Sequence, residues 1–197
     1  IQLTTGKDPV SSTMSACRYI RAAAAEGAKF ISTPETTHMM EMDRTKVLEK
    51  AQYEKDDKAL EAFQVLAKEL GVWLHLGSLI IKVAENKLAN RSFLIDDAGM
   101  ITARYDKIHL FDVDLGGGET YRESALYKAG DNAVTAETPW GKVGLSICYD
   151  LRFPELYRQY GLSGAKMIMV PAAFTVPTGK AHWHTLLKAR AIETGAY

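Results

Sequence analysis

The sequence predicts a layered α/β domain built on a mixed sheet. Three observations carry this. Helical segments alternate with short apolar strand-type segments along the chain. One strand pair is joined by the tight turn Asn86-Lys87, which makes it an antiparallel hairpin among otherwise helix-separated strands. The 197 residues, 47% hydrophobic and 24% charged, are enough to bury the core of one globular domain.

The elements follow in order. Ile1-Gln2-Leu3 reads as the tail of a strand. Asp8 as N-cap and Pro9 at the first helical position open a helix, with Val10, Met14, Cys17 and Arg21 near one stripe and Gly27 as its stop. Phe30-Ile31 is a short strand running into Ser32-Thr33-Pro34-Glu35. The charged run 54–58 reads as a solvated helix start. Residues 58–70 then carry Leu60, Phe63, Ala67 and Leu70 at helical spacing, with Gly71 after them. Residues 72–83 and 92–95 are the two arms of the hairpin, and 100–105 form another strand after the turn 96–99. The apolar, partly β-branched run Val143, Leu145, Ile147 is a buried strand, a third helix starts near Pro154, residues 167–170 are a further buried strand, and 181–193 are a fourth helix. The chain ends just after that helix, so a single domain over 1–197, truncated at both ends, is the expectation.

Composition excludes several classes of function. Lys+Arg 24 balances Asp+Glu 24, so no basic field for nucleic acid or an anionic membrane is present. No apolar run reaches the ~18 residues of a membrane span. The two cysteines, Cys17 and Cys148, have no metal-type spacing and form no disulfide framework, which points to a reducing cytoplasm and no metal. Gly116-Gly117-Gly118, the expected flexible spot, lacks the spacing and following helix of a dinucleotide fingerprint.

Three reactive side chains occupy equivalent places. Glu35 follows the strand ending near Ser32, Lys107 follows "MITARYD", and Cys148 follows "KVGLSI". In open α/β sheets the loops beyond the carboxyl ends of strands converge on one crevice. Such a crevice would gather an acid/base, a cation and a nucleophile. A free thiol with a pKa near ~8.5 needs a base or a cation to attack at neutral pH. A fixed ammonium can stabilise the oxyanion that the attack builds, and a carboxylic acid can move the proton from thiol to departing amine. No cofactor is required. Each residue has a plainer reading: Glu35 as a helix cap or loop residue, Lys107 as a surface lysine, Cys17 as packing filler. Spacing alone also leaves a Cys/His hydrolase open, with His109 beside Lys107 as the competing base.

At these residues the chain resembles the nitrilase (carbon–nitrogen hydrolase) superfamily. The segments are "FISTPETTHM", "YDKIHLFDVD", "YRESALYKAGD", "GLSICYDLRFPELYRQYGLSGAKMIMVPAAF" and "TGKAHWHTLLKARAIE". The resemblance implies an α-β-β-α sandwich with mixed β-sheets and a Glu-Lys-Cys triad of Glu35, Lys107 and Cys148. It implies a second glutamate, Glu123, holding the lysine, and it favours Glu35 over histidine as the base. "CYDLRFPEL" with "AHWHTLLKARAIE" is similar to the branch holding deaminated-glutathione amidase and ω-amidase. The implied reaction is amide hydrolysis: thioester formation on Cys148, release of ammonia, then attack by water activated by Glu35. The substrate class is a small carboxylate-bearing amide. Lys107 and a backbone N–H near Cys148 or Tyr149 would hold the oxyanion. Arg152 is a candidate for a substrate carboxylate, against an Arg pairing with Glu155. Tyr149, Phe174 and Trp183 are candidate pocket residues, with core packing as the plainer reading of the last two. Gly144 is read either as a close backbone approach or as a loosened strand. The resemblance further implies a homodimer or larger homo-oligomer, packed through the helices near Pro154 and Ala181. Other readings keep the triad for a nitrile or an N-carbamoyl amino acid, or make the chain a non-catalytic oligomeric scaffold.

Overall fold

The computed structural model describes residues 1–114 and 120–197; Gly116-Gly117-Gly118 lies outside the described residues. In chain order the elements begin with α1 (Pro9–Ala25), β1 (Phe30–Ser32), α2 (Arg44–Lys50), β2 (Gln52–Tyr53), α3 (Lys58–Leu70), β3 (Trp73–Ala84), β4 (Lys87–Ile95) and β5 (Ile101–Asp106). They continue with β6 (Asp112–Asp114), β7 (Thr120–Arg122), β8 (Val134–Thr138), β9 (Gly141–Leu145), α4 (Pro154–Leu162), β10 (Met167–Met169), α5 (Val176–Thr178) and α6 (His184–Thr194).

Two mixed sheets form the centre. In the first the order is β1-β3-β4-β5, with β2 also alongside β3. β1 and β2 run parallel to β3, and β3, β4 and β5 form an antiparallel meander. The second sheet has the order β10-β9-β8, with β10 parallel and β8 antiparallel to β9. Ile20 of α1 and Phe63 and Leu66 of α3 pack on Ile31, Leu74 and Phe93 of the first sheet. Leu94, Ala103 and Tyr105 on that sheet's other face share a core with Val143, Leu145 and Ile147 and with Tyr157 and Tyr160 of α4. Helix, sheet, sheet, helix: this is the α-β-β-α sandwich. Burying a side chain such as Phe63, fully enclosed here, contributes roughly 1.5–3 kcal/mol.

Local sequence explains most boundaries. The Asp8 carboxylate accepts from Ser11 N–H at 2.8 Å, as an N-cap should. The charged run 54–58 does hold the helix start: Asp57 caps α3 by accepting from Leu60 N–H at 2.8 Å and Lys58 is its first residue, while Glu54–Asp56 form a separate 3-10 turn. Gly71 ends α3 in the left-handed conformation, φ 59°. Gly144 settles its two readings in favour of close approach, since a Cβ there would lie 2.7 Å from the Tyr160 ring.

Several elements differ from expectation. Ile1–Leu3 is not a strand; Leu3 packs on the first core, and the Ile1 amino group donates to Ser32 O at 2.8 Å. The hairpin's second arm starts at Lys87 rather than at 92, because polar Asn90 and Arg91 continue the ladder with β3. β8 was not anticipated: it alternates half-buried and exposed residues at the sheet edge and lacks an apolar run. α2 was missed as well, being only 7 residues long and fixed by Asp43, which accepts from Thr45 and Lys46 N–H. The last helical stretch begins earlier than 181, with α5 leading through a π-helical turn, Gly179–Trp183, into α6.

Two buried histidines make stability depend on pH. His75 is fully enclosed between Ser32 and Ser92, and burial lowers its pKa to about 3. Burial likewise lowers that of His38 to about 4. Between those values and the ordinary 6.5, the unfolded chain binds protons that the folded chain refuses, so stability falls as pH drops below 6.5. The expected loss is about 2 kcal/mol per histidine at pH 5 relative to pH 7. Urea unfolding at the two pH values measures it, and His75→Gln should recover part of the difference. An unchanged midpoint would show that both rings charge freely in the fold.

Candidate active site

β1 and β5 run the same way, so their carboxyl ends lie at one edge of the first sheet. Glu35 lies three residues beyond β1 and Lys107 directly follows β5. Ser146 and Ile147 carry the chain from β9 to Cys148, which opens a 3-10 turn, Cys148–Arg152. The strand-end residues do converge. Lys107 Nζ lies 3.1 Å from Glu35 Oε1 and 3.0 Å from Glu123 Oε2. Cys148 is buried beside this pair, where the charge of Glu35 acts on its thiol. Glu35, Lys107 and Cys148 are all buried, which removes the plainer loop and surface readings of the first two.

Burial sets the electrostatics. It is the first cause, and the negative charge of Glu35 the second, that pushes the Cys148 thiol well above its usual pKa; Lys107 offsets this only in part. The thiol is therefore held neutral at rest. For Lys107, burial disfavours the charge, but Glu35, the Cys148 sulfur and Glu123 outweigh it and hold the ammonium protonated above the ordinary lysine range. Glu123 sits on a 3-10 turn after β7, and its Oε2 also accepts from Phe111 N–H at 2.6 Å. This bond ties the lysine's second partner to the loop that carries Lys107.

The backbone at Cys148 is unusual. Among the described residues, Thr36 and Cys148 are the non-glycine residues with left-handed φ, both at 51°. One adjoins Glu35 and the other is the thiol itself. Such conformations cost roughly 1–3 kcal/mol and persist where the surroundings over-determine them. Here Cys148 N–H donates to Pro171 O at 2.8 Å. That corrects part of the oxyanion expectation, because this N–H is occupied. Tyr149 N–H, inside the first turn of the 3-10 segment, has no acceptor among the described residues and is the remaining backbone donor.

A cavity of about 450 Å³ opens on the cluster, lined by Glu35, Lys107 and Glu123, with apolar Met39 and Ile80 and the cationic Arg44 and Arg122 among its other walls. A narrower one of about 50 Å³ is lined by Tyr149, Arg152, Phe174 and His182. Phe111, Ala173 and Thr175 border both. Arg152 is exposed and lies 3.4 Å from His182 Nδ1, with no ion pair to Glu155 among the described residues. Phe174 packs edge-on against Trp183, ring centroids 5.1 Å apart, so it lines the small cavity and also packs on the second core. Among the described residues there is no cluster of His, Cys, Asp or Glu fit to hold a metal ion.

The model of the carbon-nitrogen hydrolase family matches residues 8–197. The chain belongs to that family. It is 40% identical over 170 residues to a deaminated glutathione amidase of Yersinia enterocolitica, covering 85% of this chain and 59% of that protein. Human omega-amidase is 37% identical over 199 residues, covering 100% of this chain and 70% of that protein. The crystal structure of the Caenorhabditis elegans NitFhit protein superposes with a TM-score of 0.92 at 35% identity, covering 99% of this chain and 48% of that chain. The chain thus spans just under three fifths of the length of the Yersinia relative.

Within this family fold, two side chains that the sequence did not single out organise the site. Asp150 is fully buried two residues after the thiol. Its carboxylate accepts from Tyr105 OH at 2.7 Å, Ile147 N–H at 2.8 Å and His109 N–H at 3.0 Å, and its Oδ1 lies 2.7 Å from His109 Nδ1. It therefore locks the Cys148–Arg152 turn to the end of β5. His109, the competing base, is held by this carboxylate and stacked on Phe153, centroids 3.7 Å apart. No histidine bonds to Cys148 among the described residues. The second side chain is Asn90, which donates to Glu35 Oε1 at 2.9 Å.

Proposed function

We propose that the chain is a cysteine-dependent amidohydrolase that cleaves the C–N bond of a small carboxylate-bearing amide. The observation that carries this is the buried carboxylate of Glu35, hydrogen-bonded to Lys107 Nζ and acting on the buried Cys148 thiol. A neutral thiol beside a base and a fixed ammonium is the constellation that amide attack requires. Glu35 takes the thiol proton as sulfur attacks the carbonyl carbon. Lys107 and Tyr149 N–H stabilise the oxyanion. Glu35 returns the proton to the nitrogen as the C–N bond breaks, and the amine leaves a thioester on Cys148. A water that gives its proton to Glu35 then attacks the thioester, and the sulfur leaves with that proton. Glu123 fixes Lys107 throughout. The names of the Yersinia and human relatives, both amidases, support the reaction class.

In this reading the substrate carboxylate is held by Arg152, whose planar fork suits bidentate recognition. Arg152→Ala is expected to reduce turnover of acidic amides at least about tenfold more than that of neutral amides, the weight of one charge-assisted pair. Equal losses would pass the role to Arg44 and Arg122 in the larger cavity. The reaction itself is tested by following ammonia or amine release across carboxylate-bearing amides, nitriles and N-carbamoyl amino acids, with the Cys148→Ala variant as blank. Turnover confined to nitriles or carbamoyl compounds would overturn the amide assignment, and none in any class would favour the scaffold reading.

The proposal includes a homodimer or larger assembly through α4 and α6, supported by the exposure of Leu162 and Ile192 on those helices. It also includes a reducing, cytoplasmic setting, supported by Cys17 and Cys148 being unpaired. No described helix is long and apolar enough to cross a membrane.

A further inference from the structure

Asn90 touches both ionic partners of the thiol. It lies on β4, 3% exposed. Its Nδ2 donates to Glu35 Oε1 at 2.9 Å, and its main-chain carbonyl accepts from Lys107 N–H at 2.9 Å. Lys107 Nζ reaches the same Oε1 at 3.1 Å. The other carboxylate oxygen, Oε2, accepts from Ala173 N–H at 2.8 Å, and the same N–H acts on the Cys148 thiol, drawing its pKa down against the effect of burial. The two oxygens of Glu35 are thus differently committed: Oε1 to two side-chain donors, Oε2 to one main-chain N–H that also acts on the Cys148 thiol.

The other end of the same amide points to function rather than stability. Asn90 Oδ1 is buried and has no hydrogen-bond partner among the described residues. A buried carbonyl left unpartnered is destabilising, and an apolar side chain of similar size would avoid that cost. Sites that break a local rule without gain in stability are expected to be functional.

We propose that Asn90 is a positioning residue for the base: with Lys107 it occupies Glu35 Oε1, so that the Cys148 proton passes to Oε2. This rests on the amidohydrolase reading, with Glu35 as base. The Asn90 bond is a second side-chain anchor on Oε1, beside Lys107, and leaves Oε2 with the Ala173 N–H alone. The Asn90 carbonyl, by holding Lys107 N–H, sets the lysine and the base from one residue.

The test uses a Cys17→Ser background, so that Cys148 is the chain's only thiol. Asn90→Leu removes both the donor and the orphaned carbonyl. Its melting temperature is expected to equal or exceed that of the parent. Its kcat is expected to fall about 10- to 100-fold with KM within about twofold, a share of the roughly 10²–10⁴ that a positioned base contributes. Alkylation of Cys148 by methyl iodide, which carries no C–N bond, should slow in parallel. In a Glu35→Gln background the same substitution should leave the alkylation rate unchanged, because Asn90 acts through that carboxylate. Asn90→Ser, with less apolar bulk, repeats the measurement if the leucine variant does not fold. Unchanged alkylation in the parent background, or equal slowing with and without Glu35, would overturn the positioning role. Because alkylation is read without turnover, a failed substrate screen would count against the amidohydrolase reading alone.

Discussion

Replacing Cys148 by alanine is expected to abolish C–N bond hydrolysis, by at least about 10⁴-fold in kcat, the loss typical of removing a covalent nucleophile from a cooperating group. The expectation is this large because nothing nearby can substitute. Glu35 has two of its acceptor positions committed to Lys107 and Asn90 and a third to Ala173 N–H. His109 is held by Asp150, away from the sulfur. The fold should survive, since the sulfur is nearly enclosed, the volume change is small and the Cys148 N–H bond to Pro171 O is a main-chain bond. The pair of measurements that decides is amine release together with a thermal melt. Turnover within tenfold of the parent, with an unchanged melt, would remove Cys148 as nucleophile and leave the scaffold reading in place.

What the sequence showed of this site follows a physical dividing line. The positions of Glu35, Lys107 and Cys148 were legible because each follows an apolar run that reads locally as a strand. The rule that ligands gather beyond strand carboxyl ends needs no knowledge of register. Glu123 came only through the resemblance, since it sits after the short strand β7, which has no hydrophobic pattern. Asn90 and Asp150 were invisible for a different reason. Asn90 lies 55 residues from Glu35 in the chain, and they meet because β4 pairs with both β3 and β5 in one particular register. Asp150 looked like a turn residue, and its burial depends on Tyr105 and His109, which belong to the other sheet's edge. The same holds for the fold. Capped helices and apolar strands were read correctly, whereas β8 and α2 depend on neighbours rather than on their own periodicity. The terminal segment Ile1–Leu3 carries strand-forming residues but finds no ladder to join.

Removing the ammonium should be costly in two separable ways. Lys107 holds Glu35 and Glu123 together, 3.1 and 3.0 Å from its nitrogen, and is itself 3% exposed. Lys107→Met deletes the only cation hydrogen-bonded to either carboxylate among the described residues, and breaking a buried ion pair from one side typically costs about 3–5 kcal/mol. It also deletes an oxyanion donor, worth about 10²–10³ in rate. Stability and rate can be told apart by adding Glu123→Gln. That second change removes one stranded negative charge, so the double variant should regain a large part of the stability lost in Lys107→Met. It should regain little of the rate, because the second substitution restores no ammonium beside Cys148. Chemical unfolding and steady-state rates on the parent, the two single variants and the double variant complete the cycle. If stability and rate return together in the double variant, the lysine is a structural tie between two carboxylates, and the charge facing the oxyanion must come from elsewhere.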